Sequence, residues 1–259
     1  MQPVNSQVKT RSASHRALSG AIAVFARTPI PGHTKTRLIP FLGGHGAAEL
    51  QASLLRDSLR KVLALPPNLT RYLFVAGRRS SLLSIESLLE RLGQEQSGRH
   101  PPRGRIRVIR QRGADLGKRL DLAFRILLRQ HAKVVIIGTD SPLLAPGHLR
   151  LAFRELRVVE SVLGPCPDGG YYLIGLRQIS RGLFGGVRWS SSFAFRDTLR
   201  NILRQGWSCA VLPLVQDVDH PPDLKRLETE LKGSKSARRL ARATWRFLRS
   251  RHNLADRVD

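Results

Sequence analysis

The chain is 259 residues long and carries 44 Lys+Arg against 19 Asp+Glu, a formal net charge of +25. That length suits one large α/β domain or two small ones and is enough to bury a real core. Only Cys166 and Cys209 occur, without a Cys-x-x-Cys spacing, which argues against a structural zinc site or a disulfide scaffold.

Residues 1–19 hold Lys9, Arg11, Arg16, four serines and no acid, and read as a disordered basic tail. Short apolar runs then alternate with longer helical ones, the pattern of a βαβ sheet protein. Ala21–Ala26 is the first predicted strand. Ala47–Leu65 follows as a helix, with Leu50, Leu54, Leu55, Leu59 and Val62 at helical spacing and Pro66-Pro67 as its stop. Tyr72–Ala76 is the second strand, residues 82–91 a helix, 97–105 a Gly/Pro/Arg loop, and Ile106–Ile109 the third strand. The helix Leu116–Gln130 precedes a strand beginning at Val134, and a helix runs from about Pro146 to Arg157. Ser161–Gly164 and Tyr171–Gly175 are further strands, Phe193–Gln205 a helix, and Cys209–Pro213 the last strand. Beyond Asp219 the chain becomes helical and very basic. Between 235 and 251, seven cationic residues interleave with Leu240, Trp245, Phe247 and Leu248. Such a helix can lie on a membrane or pack on its own domain; the closeness of the aromatic pair favours packing. No apolar run approaches the roughly 20 residues that cross a bilayer, and a reducing cytoplasm is the expected location.

Chemistry concentrates where strands end. Val134–Ile137 is a run of four branched residues, read as a strand buried on both faces. It stops at Gly138 and leads to Asp140. A carboxylate at the C-terminal end of such a strand sits at the mouth of the ligand crevice and suits a hard cation held against phosphate. A plain helix cap or turn is the alternative. After the first strand, Arg27-Thr-Pro-Ile-Pro-Gly-His-Thr-Lys-Thr-Arg37 is a stiff loop shaped by Pro29, Pro31 and Gly32. Lys35 and Arg37 bring cationic groups to the usual place for a nucleotide's phosphates. It has neither Walker A nor Gly-x-Gly-x-x-Gly spacing. Gln111-Arg-Gly-Ala-Asp-Leu-Gly-Lys-Arg119 follows the third strand, with Gly113 and Gly117 permitting close backbone approach and Asp115 as a helix N-cap. Asp168-Gly-Gly is a turn signal, and its carboxylate is suited to accept a proton or bind an acceptor hydroxyl. Of the two carboxylates of Asp217-Val-Asp219, only one is expected to face the crevice. Asp219 is expected there as a second metal ligand opposite Asp140, with Asp223 as a helix cap.

These segments, in this order, resemble one family. Phe25–Leu38, Gly138-Thr-Asp-Ser-Pro142, Gly164-Pro-Cys-Pro-Asp-Gly-Gly-Tyr-Tyr172 and Asp217-Val-Asp219 look like the glycosyltransferase-A-like proteins found beside radical-SAM proteins and associated with arsenosugar biosynthesis. They are more distantly similar to phospholactate and molybdenum-cofactor guanylyltransferases. The resemblance spans about residues 20–230. It implies a Rossmann-like three-layer α/β/α sandwich with a mostly parallel sheet, the nucleotide-diphospho-sugar transferase fold. It also implies a nucleotide and Mg²⁺ or Mn²⁺ as ligands, with Asp140 in the place of the family's metal-binding acidic motif. Arg27 stands where the family has lysine. The expected organisation is a tail at 1–19, a transferase-like domain at 20–232 and a basic helical tail at 233–259.

The expected reaction is transfer of a sugar from a nucleotide-sugar to a small-molecule acceptor. Asp140 and Asp219 bind the metal; Arg27, Pro31, Gly32, Lys35, Arg37, Gln111, Gly113, Asp115 and Gly117 cradle the nucleotide; Lys35, Arg37 and Asp168 carry the chemistry. Transfer of a nucleotidyl group from a nucleoside triphosphate, with release of pyrophosphate, is the alternative. The high charge attracts polyanions in general. With no recognisable nucleic-acid-binding motif and no regular exposed aromatics, no specific nucleic-acid partner is expected.

Overall fold

The computed structural model describes residues 20–77, 85, 89 and 105–255, the last four by backbone alone. The basic tail at 1–19 lies outside the described residues, as do the loop at 97–104 and, save for Ile85 and Leu89, the helix expected at 82–91.

Seven strands form one sheet in the order β3-β2-β1-β4-β6-β5-β7. They are β1 (Gly20–Arg27), β2 (Leu69–Ala76), β3 (Ile106–Arg110), β4 (Lys133–Ile137), β5 (Ser161–Pro165), β6 (Tyr171–Leu176) and β7 (Cys209–Val211). All neighbours pair parallel except β6, which runs antiparallel to both β4 and β5. The helices are α1 (Ile39–Leu63), α2 (Leu116–Leu128), α3 (Pro146–Glu155), α4 (Ala194–Arg204), α5 (Pro221–Gly233), α6 (Lys235–Leu240) and α7 (Arg242–Ala255).

The branched run of β4 is buried on both faces because the sheet is covered on both. Val135 and Ile137 pack with Leu55, Leu59 and Val62 of α1 and Leu149 of α3. Val134 and Ile136 pack on the other side with Leu120, Phe124 and Leu127 of α2 and Ile202 of α4. β1 divides likewise, with Ile22 and Val24 on one face and Ala21 and Ala23 on the other. The expected three-layer α/β/α sandwich with a mostly parallel sheet is therefore what the chain forms.

Helix α1 begins earlier than periodicity suggested. Its first turn, opened by Pro40, is set off by a break at Gly43 (φ 70°, ψ 166°), a left-handed φ that glycine tolerates. The mixed composition of Phe41–Gly46 hides this turn from a periodicity reading. A third apolar cluster joins Leu50 and Leu54 of α1 to Leu227 and Leu231 of α5, Ala237 of α6, and Phe247 and Leu248 of α7. Residues 235–251 thus spend their apolar side on the protein, while Arg239, Arg242, Arg246 and Arg249 are exposed. Buried Asp57 anchors α7: its carboxylate accepts the Ala243 and Thr244 N–H groups (2.8 and 2.9 Å) and the Thr244 hydroxyl (2.8 Å). The two N–H groups are among the first donors of the helix, which have no partner within it. Among the described residues, no helix is long and apolar enough to cross a membrane.

Candidate functional site

The chain winds outward from β1 through β2 to β3, then returns to place β4 on the other side of β1. The connections leaving β1 and β4 therefore diverge, and a crevice opens between them at the strands' C-terminal ends. The loop after β1 and the Gly138–Pro142 segment after β4 face each other there.

Their meeting point is Lys35. Its side chain is only 5% exposed, and its ammonium lies 2.6 Å from an Asp140 carboxylate oxygen and 2.8 Å from one of Asp219. It also donates to the Val218 carbonyl at 2.7 Å. Burial alone would depress the Lys35 pKa, but Asp140 and Asp219 outweigh it and the pKa is raised. Asp219 pays a burial cost as well, yet Lys35 holds its pKa below the usual carboxylate value. Arg37 stands at the rim, half exposed, with a nitrogen 3.7 Å from Asp219.

Several hydrogen bonds fix this geometry. The Val218 N–H donates to the Asp140 carbonyl (2.9 Å), stitching the segment after β7 to the end of β4. Buried Gln51 of α1 donates to the Thr139 hydroxyl (3.1 Å), which donates to the Asp140 carboxylate (3.3 Å). Lys61, also on α1 and buried, donates to the Pro142 carbonyl at 2.5 Å; burial pushes its pKa down to about 8. Neither residue figured in the sequence reading. The available signal was Gln51 and Lys61 lying in a helix otherwise rich in buried leucines.

A second group of acids lies beside the first. A Cys166 sulfur and one carboxylate oxygen each of Asp168 and Asp217 are all within 4.8 Å of one another. Asp168 is exposed in the turn joining β5 to β6, where one oxygen accepts the Gly170 N–H at 2.8 Å. The turn fits closely because Gly169 has φ 84° and any Cβ there would fall 2.1 Å from the Ser192 carbonyl. The expectation that only one of Asp217 and Asp219 reaches the crevice does not hold, since residues two apart along an extended segment share a face. Asp219 turns to Lys35 and Asp140, while Asp217 turns to Asp168 and Cys166. Asp223 does cap α5, accepting the His220 N–H at 2.8 Å.

Asp217 reports the excess of negative charge. Burial first, then Asp168 and the other nearby acids, raise its pKa to about 6. A carboxyl whose folded pKa lies above its unfolded one loses stability as pH rises between the two values. Asp217→Asn is therefore expected to stabilise the metal-free protein by about 1–2 kcal/mol at pH 7, a gain that disappears below about pH 4. Melting curves of both proteins across that range, in chelator, check it; equal stability at pH 7 would contradict it.

The remaining predicted residues are spread along the C-terminal edge of β1, β2 and β3. Arg27, Pro31 and Gly32 are exposed. Gln111 spends both amide donors on the Ala26 and Phe74 carbonyls (3.3 and 2.9 Å), tying the ends of β1 and β2 together. Gly113 has φ 132° in a turn where a Cβ would crowd the Arg119 N–H at 2.8 Å. Asp115 caps α2 through the Lys118 N–H (2.8 Å). Gly117 lies against Trp189, whose Nε1 would be 2.8 Å from an added Cβ. Each of these four thus has a structural task in the turn after β3.

The fold is that of nucleotide-diphospho-sugar transferases and cytidylyltransferases. A protein from Desulfovibrio desulfuricans G20, provisionally named a nucleotide-diphospho-sugar transferase, matches with TM-score 0.77 and 27% identity over 92% of this chain and 97% of its own. The 4-diphosphocytidyl-2C-methyl-D-erythritol synthase of Anaerococcus prevotii DSM 20548 matches with TM-score 0.55 and 11% identity, over 85% and 99%. A cytidylyltransferase from Leptospira borgpetersenii serovar Hardjo-bovis (strain JB197) matches with TM-score 0.50 and 13% identity, over 90% and 95%. At those identities the last two speak for the fold alone. Residues 69–191, which include Asp140 and Asp168, match the family described as "Uncharacterized protein conserved in bacteria (DUF2064)". No curated protein matches the sequence.

The donor set suits a divalent cation. Asp140 and Asp219 share the buried Lys35 ammonium, and Asp168 and Asp217 form an adjoining pair, so four carboxylates against one ammonium leave net negative charge of the hard-oxygen kind that Mg²⁺ and Mn²⁺ favour. The Lys35 ammonium, lodged between two carboxylates, itself marks a cation position. Cys166 is a poor ligand for such an ion, because burial and then Asp217 and Asp168 push its thiol pKa up and keep it protonated.

Proposed function

We propose that the protein is a metal-dependent transferase that takes a sugar from a nucleotide-sugar and passes it to a small-molecule acceptor. The observation that carries this reading is the Lys35–Asp140–Asp219 constellation at the point where the strand order reverses. The likeness to the Desulfovibrio protein supports a nucleotide-diphospho-sugar as the donor.

On this reading Asp140 and Asp219 hold Mg²⁺ or Mn²⁺, which supplies positive charge to the donor's diphosphate when bound. Arg37, half exposed at the rim, neutralises charge that builds on the departing nucleoside diphosphate. Asp168 keeps one carboxylate oxygen on the Gly170 N–H, which orients it, and offers the other to the acceptor hydroxyl. Arg27, Pro31, Gly32 and the turn at Gln111–Gly117 border the nucleotide, the last chiefly through backbone groups.

Nucleotidyl transfer would use the same lysine, arginine and acids, since that chemistry is mainly positioning and charge neutralisation. The product separates the two. Incubation with a nucleotide-sugar, Mn²⁺ and candidate acceptors is expected to release nucleoside diphosphate; release of pyrophosphate from a nucleoside triphosphate would replace the reading with nucleotidyl transfer.

A further inference from the structure

Lys35 has three N–H donors, and the protein takes all three: Asp140, Asp219 and the Val218 carbonyl lie at 2.6, 2.8 and 2.7 Å. None is left for a phosphate. Its backbone is left-handed (φ 47°, ψ 45°), a conformation that costs a side-chain-bearing residue about 1 kcal/mol and persists only where the surroundings impose it. Both facts describe a lysine drawn into the acidic centre by its side chain, against the preference of its backbone. Arg37, two residues on, is exposed and differs in each respect.

We propose that Lys35 is a built-in counter-cation of the Asp140–Asp219 pair, which a divalent ion must displace and which moves to the nucleotide's phosphates when it is displaced. The inference rests on the metal-site reading above. Its consequence is coupling. A metal ion arriving alone must eject a buried ammonium and offers it no new anion. One arriving with a nucleoside diphosphate offers that ammonium a new anion. Metal and nucleotide therefore bind together far better than either binds alone, and free metal is kept out of an empty site.

The test is Mn²⁺ binding to the nucleotide-free protein, followed by calorimetry and by melting temperature, for wild type and Lys35→Met. Methionine keeps most of the side chain's length and apolar stem while removing the charge. The variant is expected to melt lower in chelator, because two carboxylates then face each other without the buried ammonium between them. It is expected to bind Mn²⁺ at least about tenfold more tightly than wild type, and to gain several degrees more on adding Mn²⁺. A lysine with only a structural task predicts no such rescue. Mn²⁺ binding to Lys35→Met as weak as to wild type, or weaker, would overturn the proposal. Should the variant fold only with Mn²⁺ present, the rescue itself supports it. Wild type gives an independent arm: a nucleoside diphosphate is expected to tighten Mn²⁺ binding about tenfold or more, and no change would overturn the coupling. Mn²⁺ binding by neither protein, with or without nucleotide, would instead remove the metal site and this proposal with it.

Discussion

Asp140→Ala is expected to lower metal-dependent turnover by about 10³-fold or more while leaving the fold intact. The activity loss follows from its place: the carboxylate stands just after β4, where the strand order reverses and open α/β sheets take their ligands, and shares Lys35 with Asp219. The fold survives because the side chain is 45% exposed, and the bond that joins this segment to Val218 comes from the Asp140 backbone carbonyl. Initial rates with Mn²⁺, alongside circular dichroism of both proteins, check the two halves. Full metal-dependent activity in the variant would remove Asp140 from the site. Asp168→Asn is expected to differ: acceptor transfer falls, while metal-dependent binding of the donor is kept.

Arg71→Met carries the largest expected effect on stability. This arginine of β2 is 2% exposed and has no acidic partner among the hydrogen bonds and ion pairs described. Its guanidinium instead donates to four carbonyls, those of Val62 (3.1 Å), Leu65 (2.6 Å), Pro66 (3.0 Å) and Leu69 (2.8 Å). They belong to the last turn of α1, the connection after it and the first residue of β2; the Val62 and Pro66 carbonyls also accept the Leu65 and Leu69 N–H groups (both 3.2 Å), and the guanidinium adds a charged donor to all four. Removing it relieves a buried charge but takes a charged donor from four carbonyls, for a net loss of about 2–4 kcal/mol. Denaturant unfolding of wild type and variant measures the difference directly. A loss under about 0.5 kcal/mol would mean that water replaces the guanidinium at little cost.

Arg71 also illustrates what a sequence withholds. An arginine in a strand reads as a solvated position, and nothing local announces that four carbonyls of a neighbouring turn await it. The sheet, by contrast, was legible. The branched run before Gly138 and the spaced leucines of α1 and α2 follow from burial on two faces and on one, and burial is what periodicity records. Element ends were less so. The last strand stops at Val211, short of the expected Pro213, although the Leu212 N–H still donates to the Leu163 carbonyl (2.8 Å), and the first turn of α1 is masked by the glycines around its break. In the site, Lys35, Asp140 and Asp219 were each identifiable from strand-end position, yet their mutual contact was not. It brings together residues up to 184 apart in sequence, a tertiary fact. Asp217 was set aside wrongly: residues two apart on an extended segment share a face, and both acids of Asp217-Val-Asp219 reach the acidic centre.

The central claim is that a nucleotide-sugar binds here only with a divalent ion held by Asp140. A thermal-shift panel of nucleotide-sugars and nucleoside triphosphates, each with and without Mn²⁺, measures this on wild type and Asp140→Ala side by side, since a ligand specific to the native state raises its melting temperature by mass action. At least one nucleotide-sugar is expected to stabilise wild type in the presence of Mn²⁺ alone, and to leave Asp140→Ala unmoved. No shift with any nucleotide, or the same shift without metal and in the variant, would contradict it.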